Sequence, residues 1–167
     1  MYQIGQIFED TYPMEAVEWC SKNKCRIMEQ PEKNGVRQFV IEEDDGSIPG
    51  ESLAEAKQRA ASIIDKITSS TILSGFDYNG YHFSYDTYDQ LNFNQMAVLD
   101  TDPVAWSAYK NGNKVNLSFT RSDFLKLYAA GAQHKQKAIA DGTVHKKELA
   151  SCKTAKEVNS LLTKYYG

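Results

Sequence analysis

The sequence predicts an α+β fold in which helices cover a small antiparallel sheet, and three observations lead to this class. Two Asn-Gly dipeptides, at 79–80 and 111–112, lie between residues that alternate in polarity, as in β-hairpins. Other stretches carry apolar residues at spacings of three and four, which is typical of amphipathic helices. Four of these helical patterns begin with a capping-box signature, at Ser52-Leu-Ala-Glu55, Thr87-Tyr-Asp-Gln90, Thr120-Arg-Ser-Asp123 and Thr154-Ala-Lys-Glu157.

Residues 1–42 predict a small β-α-β-β unit. Its expected elements are a strand at 2–8, a helix at 13–22, a strand at 25–29, a turn at 31–35 and a strand at 36–41. A unit of this size buries little core by itself. We therefore expect it to dock on the rest of the chain, on a copy of itself or on another protein.

Residues 43–51 predict a charged linker, because acidic side chains alternate there with Gly and Pro. A calcium loop is disfavoured, since the Asp-x-Asp-x-Asp-Gly spacing is absent. The linker leads to a predicted α+β domain at 52–167. Its first helix is expected to end near Leu73, before Gly75, and its apolar stripe forms either core or an oligomer seam. The stripe consists of Leu53, Ala56, Ala60, Ile63, Ile64 and Ile67.

The two Asn-Gly turns fix the expected hairpin registers, because a two-residue turn needs positive φ at both positions and sets the pairing. In the first hairpin, at about 76–85, the pairs are Phe76 with Phe83, Asp77 with His82, and Tyr78 with Tyr81. In the second they are Val104 with Phe119, Trp106 with Leu117, Ala108 with Val115, and Lys110 with Asn113. Together the hairpins predict one small sheet.

Three further helices follow from the remaining patterns. A short helix after Thr87 carries Leu91, Met96, Val98 and Leu99 and ends before Asp100–Pro103. A helix after Thr120 either continues towards Leu149 or is interrupted at Asp141-Gly142. The last helix, after Thr154, places Val158, Leu161, Leu162 and Tyr165 on one face.

Composition limits the possible function classes. The net charge of −3 argues against a nucleic-acid partner. No apolar run approaches the roughly 20 residues of a membrane span, and the N-terminal residues lack the features of a signal peptide. Three cysteines without CxxC spacing predict free thiols, with a Cys20–Cys25 bridge as the alternative.

No catalytic, cofactor-binding or metal-ligating residue is predicted, so we expect a protein that is not an enzyme. Nucleotide-binding, hydrolase and metalloprotease motifs are absent from the sequence. The Asp77–His82 pair is expected on the solvent side of its hairpin, and His134 on a solvated helix face. Tyrosine rings could stack on sugars, and the candidates are Tyr78, Tyr81, Tyr85, Tyr88 and Tyr109. The first four could instead form core or interface.

From residue 55 onwards the chain resembles the domain of unknown function found near the C-terminus of bacteriophage tail-fibre and tail proteins. The motifs that carry the resemblance are Ile72-Leu73-Ser-Gly-Phe76, Tyr78-x-Gly80-x-x-Phe83-x-x-Asp86, Gln90, Trp106, Asn111-Gly112-Asn-Lys-Val115, Phe119-Thr120-x-x-Asp123, His134, Lys147-Glu-Leu149 and Thr154-x-x-Glu157-Val158. Residues 12–20 are similar to the N-termini of small tail-associated proteins of phages of Gram-positive hosts.

The resemblance implies a structural or attachment component of a phage or phage-like tail, at the fibre or baseplate. The alternatives are a tail-fibre assembly chaperone and a glycan-binding receptor-recognition protein. The expected partners are other tail, fibre or baseplate proteins and a second copy of the chain, without nucleic acid or membrane insertion. The chain is expected to be made in the bacterial host cytoplasm and to reside in the virion tail, with residues 1–42 as its attachment point.

Overall fold

A computed structural model describes residues 1–44, 46, 48 and 50–167. Over these residues the chain has the predicted α+β fold, with five helices and seven strands. The elements are β1 Ile7–Glu9, α1 Met14–Asn23, β2 Cys25–Lys33, β3 Val36–Glu43, α2 Leu53–Leu73, β4 Phe76–Tyr78, β5 Tyr81–Phe83, α3 Thr87–Val98, β6 Val104–Lys110, β7 Asn113–Phe119, α4 Arg121–Ser151 and α5 Ala155–Tyr166.

The chain divides into two compact units. Unit 1 consists of Met1–Ala56 together with Thr154–Gly167, and unit 2 of Lys57–Lys153. Helix α5 therefore belongs to unit 1. The sequence limits of 1–42 and 52–167 stay a prediction, and the linker predicted at 43–51 includes Asp45, Ser47 and Pro49, which lie outside the described residues.

Unit 1 contains the predicted β-α-β-β order, and its strands form an antiparallel sheet in the order β1-β3-β2. Helix α1 contributes Cys20 to a small core with Cys25 and Ile41. The first strand is shorter than the predicted 2–8, because the chain turns at Gly5, where φ is +84°. The Gly5 N–H still donates to the Ile41 carbonyl at 2.8 Å, so this segment stays tied to β3.

The turn predicted at 31–35 is present but shorter: β2 continues to Lys33, and the connection to β3 is a third Asn-Gly turn. Asn34 and Gly35 have φ of +56° and +77°, as a type I′ turn requires. Pro31 lies inside β2, which is an edge strand with a register shift between Gln30 and Lys33. An edge strand tolerates proline at such a shift, since fewer main-chain N–H groups are needed there.

Unit 2 contains a four-stranded antiparallel sheet in the order β4-β5-β6-β7. Both predicted hairpin registers are confirmed, and His82 paired with Tyr109 joins the two hairpins into one sheet. The apolar face of the sheet packs with side chains of α3 and α4. The buried residues of this core are Phe76, Phe83, Tyr85, Phe93, Val104, Ala108, Phe124 and Leu127.

Helix α2 has the predicted capping box: the Glu55 carboxylate accepts from the Ser52 N–H at 2.8 Å, and Ser52 Oγ accepts from the Glu55 N–H at 3.3 Å. The stripe residues Ala56, Ala60 and Ile64 are fully buried within the single chain. That part of the stripe is therefore core and is not available as an oligomer seam. Self-association of the chain stays a prediction.

The N-cap of α3 lies one residue before the predicted cap. Asp86, rather than Thr87, is the N-cap residue, and Asp89 completes the capping box. The predicted apolar residues Leu91 and Val98 are exposed, and the residue that α3 buries is Phe93. The pattern was ambiguous because Asp86 and Thr87 are both good caps, and only the helix phase decides between them.

Helix α4 runs without interruption through Asp141-Gly142, which resolves the alternative left open by the sequence. Gly142 is buried against the side chain of Thr68 in α2. A Cβ at this position would collide with the Thr68 hydroxyl, so glycine permits the close approach of the two helices.

Candidate binding site

A polar groove lies in unit 2, lined by residues of α3 and of the β6–β7 hairpin. Its volume is about 550 Å³, and its lining residues come from the segment 84–96 on one side and the segment 105–114 on the other. We call it the α3 groove. Sequence alone did not predict it, because its walls come from segments that only the pairing of β5 with β6 brings together.

The α3 wall carries Asp86, Asp89, Asn92 and Gln95, which are spaced three residues apart and lie on successive turns. Asp86 Oδ1 accepts from the Asp89 N–H at 2.8 Å, and Asp89 Oδ2 accepts from the Asp86 N–H at 3.3 Å. This reciprocal capping holds both carboxylates in place at the entrance of the helix. The three-residue spacing of polar groups was the sequence signal that could have identified this wall.

The sheet wall carries Ser107, Tyr109 and Lys114, which the register places on the outward face. The Ser107 hydroxyl donates to Asn116 Oδ1 at 2.9 Å across the β6–β7 pair. Tyr109 is 40% exposed. The ring is therefore accessible while its main chain stays in the centre of the sheet.

Trp106 joins the groove to the core. Its ring centroid lies 4.2 Å from that of Phe93 and 5.3 Å from that of Phe124. The same side chain also lines the groove and is half-buried. An indole held by two buried rings is a rigid wall, since its rotamer cannot change without disturbing the core.

Most of the tyrosines considered for sugar stacking are elsewhere. Tyr85 is buried, and Tyr78 and Tyr81 pack against the core, which confirms the core interpretation for these three. Tyr88 is 78% exposed and is therefore not core, so an interface role stays a prediction for it, and it does not line the groove. Of the five candidates, Tyr109 alone lies in the α3 groove.

Two histidines bond to main-chain carbonyls at the C-terminal end of α2. His82 Nδ1 lies 2.9 Å from Asp77 Oδ1, as expected for a solvent-side pair, and its Nε2 lies 3.0 Å from the Ser74 carbonyl. His134 differs from the expected solvated histidine: it is half-buried, its ring stacks on Phe76, and its Nε2 lies 2.9 Å from the Thr71 carbonyl. Both side chains thus satisfy carbonyls of the last turn, which have no partner within a helix.

The cysteines are free thiols, so the alternative of a Cys20–Cys25 bridge is not formed. Burial, and then the neighbouring Cys25, raise the pKa of the Cys20 thiol. A raised pKa lowers the thiolate fraction at neutral pH, which makes this sulfur a poor nucleophile. Among the described residues, no group of three His, Cys, Asp or Glu side chains is placed to hold a metal ion.

Comparison with protein families gives a match over most of the chain. A family described as "Domain of unknown function (DUF4376)" matches residues 55–162. The chain belongs to this family. The DUF4376 match spans well over half of the chain and includes every residue of the α3 groove. It therefore confirms the resemblance to a domain of unknown function.

Searches of curated proteins and of solved structures found no match to the chain. Within the part of the chain that the structure describes, no helix is long and apolar enough to cross a membrane.

Proposed function

We propose that the chain is a non-enzymatic structural or attachment component of a phage or phage-like tail, associated with the fibre or baseplate. The observation that carries this proposal is DUF4376 membership over residues 55–162. In the same region, the order of motifs resembles the domain at the C-terminal end of phage tail-fibre proteins. The chain would be made in the host cytoplasm and retained in the virion tail.

The polar groups of unit 2 agree with a non-enzymatic role. Its histidines at 82 and 134 both bond to main-chain carbonyls of α2. The carboxylates at 86 and 89 cap α3. These groups therefore stabilise helix ends, and a helix-capping role explains their positions without a reaction.

Unit 1 offers a surface for attachment to another tail protein. The exposed apolar side chains of this unit include Ile7 at 58%, Met14 at 70% and Val17 at 40%. Met14 and Val17 lie three residues apart on neighbouring turns of α1, whose buried residues are Ala16 and Cys20. Clustered exposed apolar residues mark interaction sites in soluble proteins. We propose that this face of α1 contacts a neighbouring fibre or baseplate protein.

A gene deletion tests the tail assignment. The coding sequence would be removed from the phage or prophage that carries it, and the particles would be imaged by electron microscopy and assayed for adsorption to the host. We expect tails with incomplete fibres or baseplates and reduced adsorption, both restored by the wild-type chain supplied in trans. Normal tails with normal adsorption would contradict the proposal.

A further inference from the structure

We propose that the α3 groove is a binding site for a short neutral saccharide. Its volume of about 550 Å³ lies within the range of roughly 300–1,000 Å³ that is usual for small-ligand pockets. Most such pockets are lined mainly by apolar side chains. Polar side chains prevail in this groove, so a matching occupant must offer hydrogen-bonding groups over much of its surface.

The charges in the groove favour a neutral ligand. Two carboxylates, Asp86 and Asp89, face one ammonium group, that of Lys114. A phosphate or another anion would be repelled by the pair of aspartates. A transition-metal ion is disfavoured as well, since among the described residues no group of three His, Cys, Asp or Glu side chains is placed to hold a metal ion. An uncharged molecule rich in hydroxyl groups is not repelled by the aspartates and needs no set of metal ligands.

The aspartates are acceptors in fixed positions. One oxygen of each is occupied by the capping box: Oδ1 of Asp86 and Oδ2 of Asp89. In the described part of the chain the second oxygen of each carboxylate has no hydrogen bond to the protein, so it is open to a ligand hydroxyl. Because the box already orders both side chains, a ligand that binds them loses little additional side-chain entropy.

The other residues that line the groove provide the hydrogen-bonding groups and the apolar surface that a sugar needs. The amides of Asn92 and Gln95 are exposed, and each can both donate and accept, as a hydroxyl does. The rings of Trp106 and Tyr109 supply apolar surface against which the C–H faces of a pyranose can pack. Rigid aromatic surface beside planar polar groups thus matches the alternating apolar and hydroxyl surfaces of a saccharide.

Tryptophan fluorescence can report binding at this groove. The chain has two tryptophans, so the full-length Trp19→Phe variant retains Trp106 as its sole indole. We would titrate this variant with glucose, galactose, rhamnose, N-acetylglucosamine and their disaccharides. We expect at least one of them to change the emission with a saturable dependence, at a Kd in about the millimolar range. Inorganic phosphate and calcium chloride should leave the emission unchanged.

Matched substitutions locate the site. In the Trp19→Phe background, Tyr109→Ala and the double variant Asn92→Ala/Gln95→Ala should weaken binding by about tenfold. The controls are Tyr88→Ala and Asn94→Ala, which remove an exposed tyrosine and an exposed amide of α3 outside the groove. Both controls should bind like the parent. Circular dichroism would show that each variant retains its fold.

Two results would overturn the inference. One is an unchanged emission with every saccharide, confirmed by unchanged amide NMR shifts of residues 84–114. The other is saccharide binding that the groove and control variants weaken equally. Saccharide binding and the tail assignment are tested independently. A groove that binds no sugar would leave the proposed tail role unaffected. Normal tails after gene deletion would leave the proposed saccharide site unaffected.

Discussion

Gly131 of α4 lies directly against the ring of Tyr85, and a Cβ built on this glycine would be 2.9 Å from Tyr85 Cε2. The same Cβ would be 3.0 Å from Cε1 of Phe76. Both rings belong to the buried core of unit 2, so neither can move without displacing its neighbours. The glycine therefore sets how closely α4 approaches the first hairpin.

We predict that Gly131→Ala destabilises the protein by about 1–2 kcal/mol, because an overpacking cost of roughly 2–3 kcal/mol between two immobile rings exceeds the roughly 1 kcal/mol that alanine gains in a helix. Urea unfolding followed by circular dichroism measures the change. Ala140→Gly, at an exposed position of the same helix, is the control for helix propensity and should cost about 1 kcal/mol. A Gly131→Ala variant as stable as the wild type would show that the Tyr85 and Phe76 rings can move to accommodate a methyl group.

Arg121 caps the C-terminal end of α3 from the start of α4. Its Nη1 donates to the Met96 carbonyl at 2.6 Å and its Nη2 to the Ala97 carbonyl at 2.5 Å. We predict that Arg121→Ala lowers the free energy of unfolding by about 1.5–3 kcal/mol, as expected for bonds from a charged donor. Arg121→Lys should retain only part of the free energy of unfolding that Arg121→Ala loses, since an ammonium group cannot donate to two carbonyls in one plane as a guanidinium does.

The control for Arg121 is Lys137→Ala, which breaks an exposed ion pair with Asp141 in α4. Such pairs contribute about 0.3–0.5 kcal/mol, so the control should unfold almost like the wild type. Equal effects of the Arg121 and Lys137 substitutions would mean that the bridge between α3 and α4 adds nothing beyond an ordinary surface charge.

Two helix caps should make stability depend on acid pH. Hydrogen bonds from Ser52 lower the pKa of Glu55, and Lys126, followed by Thr120, lowers the pKa of Asp123. A carboxylate whose pKa is lower in the folded than in the unfolded state stabilises the fold above its unfolded pKa, near pH 4. That contribution is lost as the pH falls through the folded pKa.

Glu55→Gln should therefore be less stable than the wild type at pH 7, and the difference should shrink towards pH 3. Asp123→Asn should behave in the same way. Thermal unfolding across this pH range measures both, with Glu18→Gln, within α1 and away from its N-terminus, as the control. A difference from the wild type that stays constant with pH would rule out ionisation as its source.

Strand pairings within a hairpin can be predicted from the sequence, whereas contacts between distant segments cannot. Both predicted hairpin registers are correct, because Asn-Gly turns and period-two alternation act within about ten residues. The turn at Asn34-Gly35 was predicted too long, at 31–35, because Pro31 and the polar residues beside it obscure the end of strand β2. The α3 groove escaped it because its walls meet through the pairing of His82 with Tyr109, which no local pattern encodes.

The exposed face of α1 should be needed for attachment of the chain to the tail. We predict that the double variant Met14→Glu/Val17→Glu folds normally but is depleted at least tenfold from purified particles, because each charge would have to be desolvated at the contact. The matched control is Leu91→Glu/Val98→Glu, which alters two exposed apolar residues of α3. Equal incorporation of both double variants would assign the attachment to another surface.

Quantitative mass spectrometry of gradient-purified particles tests the tail assignment most directly. If the chain is a tail component, its peptides from both units should co-purify with the major tail protein at a constant ratio across the gradient fractions. If it is an assembly chaperone, its peptides should occur in the lysate and be absent from the particles. Absence from the particles would contradict the central claim.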